Sequence, residues 1–504
     1  MEGIMKRSIA LILLFAMLIT CVACGSTKPT ETTPAVTDPV TSEPEATEPP
    51  VTTEYPKMPE DTNFDGYEFV TLMSGLSVND FNDFANDNDG FAVVNEAIFD
   101  RNSRIEDLFK CTVTNVKELA ASWGNGPGFK RMRDDYVAGE SSYDICAVGT
   151  FDAPQIALNG YAYDLNEMPY IDLTKSWWDQ QANMDLCVGG KMFYTTGDIS
   201  VVDNLATHCI LFSKSIAAEH QITDIYDLVE NKKWTYDKFE EYVRMVSDNL
   251  NGDDKMDEND RFGVLSWNDA LQASLAGAKS KIAGVNEDGK IVLTMYSEKN
   301  VALVEKVTSL LFDTEHSYNY VNRTTSGRWQ DKMAPMFADG KALFFTTMFS
   351  TVPLLRDSKM DFGIIPYPMF NEEQGEYGGY LAATYSVMYC VESFVEDEEI
   401  TGAITEMLAY LSQQIVTPAY YEQTLKGRDV RDDESKECLD IIFASRTFDL
   451  GIYYLIGDFT GKLTNMMKAS QNNFVNIYET NKRAAEVKIK TINEQFANNN
   501  AGDK

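Results

Sequence analysis

Short apolar runs at strand period alternate with longer runs at helical period along most of this chain. That alternation restricts the architectures open to it more than any other feature. Residues 67–73 alternate as a strand, Val94, Ala97, Ile98, Ile105, Leu108 and Phe109 recur at helical spacing, and 111–116 reads as a second strand. Residues 143–148 give a third, followed by a short amphipathic stretch to Leu158, so the opening reads strand, helix, strand, loop, strand. The pattern predicts an α/β fold with a largely parallel sheet and helices on its faces.

A second series begins with a strand at 208–212 and continues through a helix carrying Phe239, Tyr242, Val243 and Val246, with Thr235 as its N-cap candidate. Val301, Val304, Val307, Leu310 and Leu311 mark another helix. Strands follow at 341–346, 361–365 and 385–391, then a long helix on Ile400, Ile404, Leu408, Leu411 and Ile415, and the C-terminus from Ser435 reads as helical. The 504 residues, 44% of them apolar, exceed what one hydrophobic core usually organises, so two lobes are expected.

The first sixty residues belong to neither lobe. Lys6 and Arg7 precede an apolar run, 8–19, too short to span a bilayer stably, and 1–23 reads as a signal peptide. The run ends in Cys21-Val-Ala-Cys24, which resembles the lipobox of bacterial lipoproteins and would make Cys24 the lipidated N-terminus. Residues 24–59 then form a disordered Thr/Pro/Glu linker whose composition cannot bury enough surface to offset chain entropy. At about 3.1 Å per residue, roughly thirty-five such residues reach on the order of 100 Å. The expected location is the extracellular face of the cell membrane, by a lipid anchor.

Beyond the linker, Cys111, Cys146, Cys187, Cys209, Cys390 and Cys438 are widely spaced and embedded in apolar runs, which favours free buried thiols over a disulfide framework.

Charge removes several partner classes. With 43 Lys and Arg against 78 Asp and Glu, the net charge of −35 repels phosphate backbones and anionic lipid headgroups. Common catalytic signatures are missing as well: there is no phosphate-cradling Gly-x4-Gly-Lys-Ser/Thr and no Gly-x-Ser-x-Gly elbow, and none of the three histidines has an i,i+4 partner. No catalytic residue and no required cofactor is assigned. Paired carboxylates for glycoside hydrolysis stay open in so acidic a chain, although any one of its acids reads first as a solvated surface charge.

One segment has ligand spacing. Asn249, Asn251, Asp253, Lys255, Asp257 and Asp260 fall at positions one, three, five, seven, nine and twelve of an EF-hand-like calcium loop. Position six is Asp254 where glycine makes the turn, and positions one and twelve are Asn and Asp, so an acidic, water-satisfied connection competes with a structural Ca2+ site. Aromatic residues also stand beside polar ones: Trp123 near Asn125, Ser176-Trp-Trp-Asp179, Trp267-Asn-Asp269 and Arg328-Trp329. Such a mixture stacks on the apolar faces of a sugar and satisfies its hydroxyls. It equally suits peptides, and for any single Trp core packing is the alternative.

Several stretches, in this order and spacing, resemble family 1 extracellular solute-binding proteins, the lipoprotein components of bacterial carbohydrate ABC importers. They are Tyr143-Asp-Ile with Asn159-Gly-Tyr-Ala-Tyr-Asp-Leu165, Cys209-Ile-Leu-Phe-Ser-Lys214, Lys233-Trp-Thr235, Met336-Phe-Ala-Asp-Gly-Lys-Ala342 and Asp361-Phe-Gly-Ile-Ile-Pro-Tyr-Pro368. Ser213 stands where family members usually have Asn.

The resemblance implies a periplasmic-binding-protein-like, maltodextrin-binding-like fold: two α/β lobes joined by hinge-crossing strands, with solute in the cleft. Lobe 1 would be 60–204 plus 380–430 and lobe 2 209–378 plus 431–504. The crossings would lie around 203–212 and 378–385. By motif position the resemblance brings Thr150, Phe151, Asp152, Asp198, Asp203, Asn204, Phe349, Tyr380 and Tyr385 to the cleft. Trp267 and Trp329 are added from composition.

The expected partners are a small-molecule solute, an oligosaccharide in chemical class, and an ABC permease, for a monomeric protein. Rival readings are a surface glycoside-active enzyme, a sensor or adhesion lipoprotein, and a receptor for peptides or polyamines.

Overall fold

The computed structural model describes residues 54–76, 78–121, 123–253, 255–323, 327–421 and 433–502, and among them the apolar runs become strands. In chain order these are β1 (Glu68–Ser74), β2 (Thr112–Glu118), β3 (Ile145–Gly149), β4 (His208–Ser213), β5 (Phe262–Ser266), β6 (Ala283–Val285), β7 (Ile291–Leu293), β8 (Ser317–Asn319), β9 (Ala342–Met348), β10 (Phe362–Ile365), β11 (Gly379–Tyr380), β12 (Val387–Cys390) and β13 (Arg446–Thr447). The first main sheet has the order β12-β3-β1-β2, with β1 parallel to both neighbours and β12 antiparallel to β3. The second has the order β10-β4-β9-β5-β8, with β4 antiparallel to β9 and β10, and β5 parallel to β8 and β9. Residues from Tyr55 onward form one compact unit.

Strands β3, β4, β5, β9 and β12 are buried along their whole length, which is why they read as near-continuous apolar runs rather than as alternations. Helix Ala92–Phe109 covers the first sheet with Val94, Ala97, Ile98, Ile105 and Phe109, and ends at Lys110 in the left-handed region (φ 51°). Helix Tyr236–Val246 buries Phe239, Tyr242, Val243 and Val246 against the second. Ser213, the departure noted above, caps the next helix by accepting from the Ile216 amide at 3.3 Å. The six cysteines among the described residues are free thiols, five of them buried, with Cys146 and Cys390 register partners across β3 and β12.

Four local expectations are corrected. The segment read as a loop between β2 and β3 holds a helix, Pro127–Ala138, which was hard to see because Gly128 and Met132 are its buried residues. Pro127 in its first turn and Gly139 at φ 68° set its ends. Thr235 stands at an N-cap, but its side chain makes no cap hydrogen bond. The long helix through Ile415 is α-helical for Glu398–Leu411 and then passes through a π turn, Ser412–Val416. The helical C-terminus is interrupted by β13 before it reaches its longest element, Phe474–Gly502.

The crossing segments lie side by side. The stretch read as one strand from Asp203 to Phe212 is helical over Val201–Ala206, and β4 begins only at His208. Thr207 bridges Leu381, the Ala382 amide donates to Ala206 O at 3.1 Å, and β11 pairs with β13 in parallel. β13 thus lies against both crossing segments, and its Arg446 binds the first: its Nε donates to Thr207 Oγ1 at 2.9 Å and its Nη2 to Asn204 Oδ1.

Candidate functional site

Between the strand ends of the two sheets lies a cavity of about 470 Å3, within the range of small-ligand sites. One wall is Leu76, Val78, Asn79 and Asp80, which follow β1. Here the backbone is constrained. Gly75 lies so close to Gly149 that a Cβ would fall 2.7 Å from the Gly149 Cα, and Asn79 and Asp80 hold φ of 57° and 54°. Consecutive non-glycine residues in the left-handed region cost stability and cluster at ligand clamps.

The opposite wall comes from the second sheet. Trp267 and Asn268 follow β5, and Arg328, Trp329 and Gln330 open helix Trp329–Ala338. Trp267 and Trp329 stack at 4.5 Å between centroids and 19° between planes, and Phe345 of β9 meets Trp329 edge-on at 6.1 Å. Both indole N–H groups are buried without a hydrogen-bond partner, as are Ser266 Oγ and both amide atoms of Asn319, paired in register at the ends of β5 and β8. Unpaired buried donors beside a cavity mark a place where water or a ligand completes the bonding. Tyr385, leading into β12, closes the third side.

The residues expected at the cleft divide sharply. Trp267, Trp329 and Tyr385 line the cavity. The others lie elsewhere. Thr150 donates from Oγ1 to Ser386 O at 2.9 Å, Phe151 stacks under Trp123, and Asp152 Oδ1 accepts from the Gly126 amide at 2.9 Å. Asp198 accepts from Gln413 Nε2 and Thr417 Oγ1 at 2.9 and 2.8 Å, and burial raises its pKa. Asp203 accepts from Thr196 Oγ1, and burial pushes it up to about 7 although the Arg446 charge pulls it down. Asn204 holds Arg446. Phe349 is fully buried against Phe443 at 4.8 Å.

Tyr380 lies 5.0 Å from His208, whose pKa burial lowers to about 3, and it borders a second void behind the crossings. That void offers about 20 Å3, space for roughly one water and no solute.

Sequence reading missed Leu76, Val78, Asn79, Asp80, Asn268 and Gln330. Its one available signal was position: each follows a strand end or opens a helix. Strand β5 was itself overlooked.

The acidic loop folds on itself. Asn249, Asn251 and Asp253 each accept through Oδ1 from the amides of Gly252, Asp253 and Lys255 at 2.8, 2.9 and 2.8 Å. Asp257 Oδ1 accepts from the Asn259 amide at 2.8 Å, and the buried Asp260 accepts from Leu250 and Asp257 amides at 2.9 and 2.8 Å. The side chains at the ligand positions are oxygen donors of the type calcium takes, with Lys255 offering its carbonyl, so by chemistry the residues fit that ion. Nearby, Asp313, Glu315 and His316 bring ligand atoms within 4.8 Å of one another, but Arg244 pairs with Asp313 at 2.8 Å. Cys24 lies outside the described residues. No helix among the described residues is long and apolar enough to cross a membrane.

No protein-family model and no curated sequence matches the chain. Solved structures match its fold. The galacto-N-biose/lacto-N-biose I-binding protein of the ABC transporter from Bifidobacterium longum, in complex with lacto-N-biose, aligns with a TM-score of 0.54 at 16% identity, covering 85% of this chain and 98% of that one. UgpB from Mycobacterium tuberculosis, in complex with glycerophosphocholine, gives 0.53 at 13% identity over 84% and 98%. An ABC substrate-binding protein from Listeria monocytogenes, in complex with cycloalternan, gives 0.52 at 12% identity over 86% and 100%. The chain therefore shares the mixed α/β fold of these solved binding proteins, as the sequence resemblance implied.

Proposed function

We propose that the protein is a membrane-anchored extracellular receptor that captures a carbohydrate, in particular an oligosaccharide, and delivers it to an ABC permease. The observation that carries this reading is the Trp267–Trp329 stack, with two unpaired indole N–H donors, on the wall of a cavity between two sheets. Indole faces pack on the C–H faces of a pyranose while N–H and amide groups meet its hydroxyls. Sugar ligands in two of the structural neighbours support the same class.

In this reading the halves 60–204 plus 380–430 and 209–378 plus 431–504 close over the solute, by as much as the closed state binds it better than the open one. Capture requires no nucleophile. Cys24 anchors the chain, and the Asn249–Asp260 loop holds a stabilising calcium ion.

The test is calorimetric titration and thermal shift against mono-, di- and oligosaccharides, peptides and polyamines, with chromatography of the recovered ligand. Binding of a glycan that is recovered unchanged supports the proposal. Stabilisation by peptides or polyamines alone, or conversion of the glycan, refutes it. Loss of membrane association on Cys24→Ser tests the anchor.

A further inference from the structure

The chain has six tryptophans; five are buried, and Trp123 is 61% exposed. It is not loosely held. One face stacks on the buried Phe151 ring at 4.8 Å and 25°, which leaves the other face to solvent. Its loop is pinned at both ends: the Ala120 amide donates to Gly75 O at 3.1 Å and the Gly126 amide to Asp152 Oδ1 at 2.9 Å. Between them Gly124 holds φ +87°, a backbone that other residues rarely adopt, and a Cβ there would fall 3.1 Å from the Gln155 side chain and 3.3 Å from Phe151 O. The Phe151 ring thus backs the indole and occupies one of its faces.

Chain connections tie its surroundings to the cavity. Gly75 directly precedes Leu76, which lines the cavity. Thr150, beside Phe151, bonds Ser386, the neighbour of the cavity residue Tyr385. Trp123 itself is outside the cavity lining, on the first-sheet side, whereas the Trp267–Trp329 stack is on the second-sheet side. A large apolar face kept in water costs free energy unless something covers it, and a pre-oriented aromatic loses little entropy when it is covered.

We infer that Trp123 is an outer stacking residue that engages a sugar ring beyond those held in the cavity, so that the receptor discriminates glycans by length. The inference rests on the carbohydrate reading above. It gives Phe151 and Asp152 roles as well: they are positioning residues, one backing the indole and the other fixing its loop.

The experiment titrates the full mature chain and its Trp123→Ala and Trp123→Phe variants with malto- and cello-oligosaccharides of two to five units. Acrylamide quenching of tryptophan emission is followed in parallel, and thermal melts check folding, which an exposed side chain should not disturb. Trp123→Ala is expected to weaken the tetra- and pentasaccharides about tenfold and the disaccharides less than twofold, with Trp123→Phe restoring most of the loss. Long ligands alone should shield the exposed indole from acrylamide. An equal loss at every length, or none, overturns the inference and leaves the receptor reading intact. Where the unmutated protein binds neither series, the same variants are titrated with the longest glycan it does bind, and failure to bind any glycan of the wider panel overturns both.

Discussion

Arg446 Nη1 lies 3.8 Å from Asp179 Oδ2, and the charge of this guanidinium, on β13, also acts on the part-buried Asp198 and the buried Asp203. It packs over Phe443 at 5.0 Å, with Asn204 and Thr207 as its remaining acceptors. One cation thus answers three acids where the chain passes between the sheets. Burial costs each charge its hydration, and the arrangement holds only while its members stay paired.

Arg446→Met should therefore be severe, because it removes the cation and leaves the acids uncompensated. A loss of about 3–5 kcal/mol is expected, read from urea unfolding. A loss under about 1 kcal/mol would show that the network contributes little at the crossing.

Trp267→Phe and Trp267→Ala separate ring from donor at the cavity wall. Alanine removes the stack on Trp329 and should cost about 2 kcal/mol of glycan binding, a factor of about 30. Phenylalanine keeps a smaller stacking face and loses the indole N–H, so its affinity should fall between those of the unmutated protein and the alanine variant. Equal affinities in calorimetry for all three proteins would remove this residue from the site.

Stability should fall as pH rises from acid to neutral. Burial raises Glu392 from 4.5 to about 8 despite its bonds from Ser141 and the Tyr143 amide, raises Asp203 from 3.8 to about 7, and raises Asp83 from 3.8 to about 6. An acid whose folded pKa is raised binds protons more tightly in the native state. Its contribution is fully present below the unfolded value, near 4, and is lost as pH climbs through 6 to 8. Urea midpoints should be higher at pH 5 than at pH 8, and Glu392→Gln should flatten the difference. A midpoint that rises with pH would reverse the sign argued here.

Calcium in the Asn249–Asp260 loop should stabilise the folded chain by about 2.7 kcal/mol at a hundredfold excess over the dissociation constant, read as a higher melting temperature. Chelator should reverse the gain, and Asp253→Asn with Asp257→Asn should abolish it. Unchanged melts with calcium and with chelator would mean that the loop's own amide bonds suffice.

How much of this was legible in the sequence differs between fold and site. The strand and helix alternation stated the α/β architecture because period is a local property, set by which side of each element meets the core. Helix Pro127–Ala138 escaped because its buried face is nearly absent, and β5 escaped because Gly263 interrupts its short apolar run. Motif order brought Thr150 and Asp203 to the cleft, yet their side chains are spent on Ser386 and Thr196. Hydrogen-bond partners distant in the chain cannot be seen from a motif.

The sequence by itself determined the alternation that makes two sheets, the acidic surface, and the supply of tryptophans beside polar residues. Only the tertiary structure decided which of them meet. Trp267 and Trp329 reach one another because β5 pairs in parallel with β9 and the helix preceding β9 returns to the end of β5. Phe349, at the end of that same β9, is turned into the core. Strand pairing is a long-range choice, made by burial over the whole sheet, and no single residue type encodes which aromatic ends at the cavity and which beneath it.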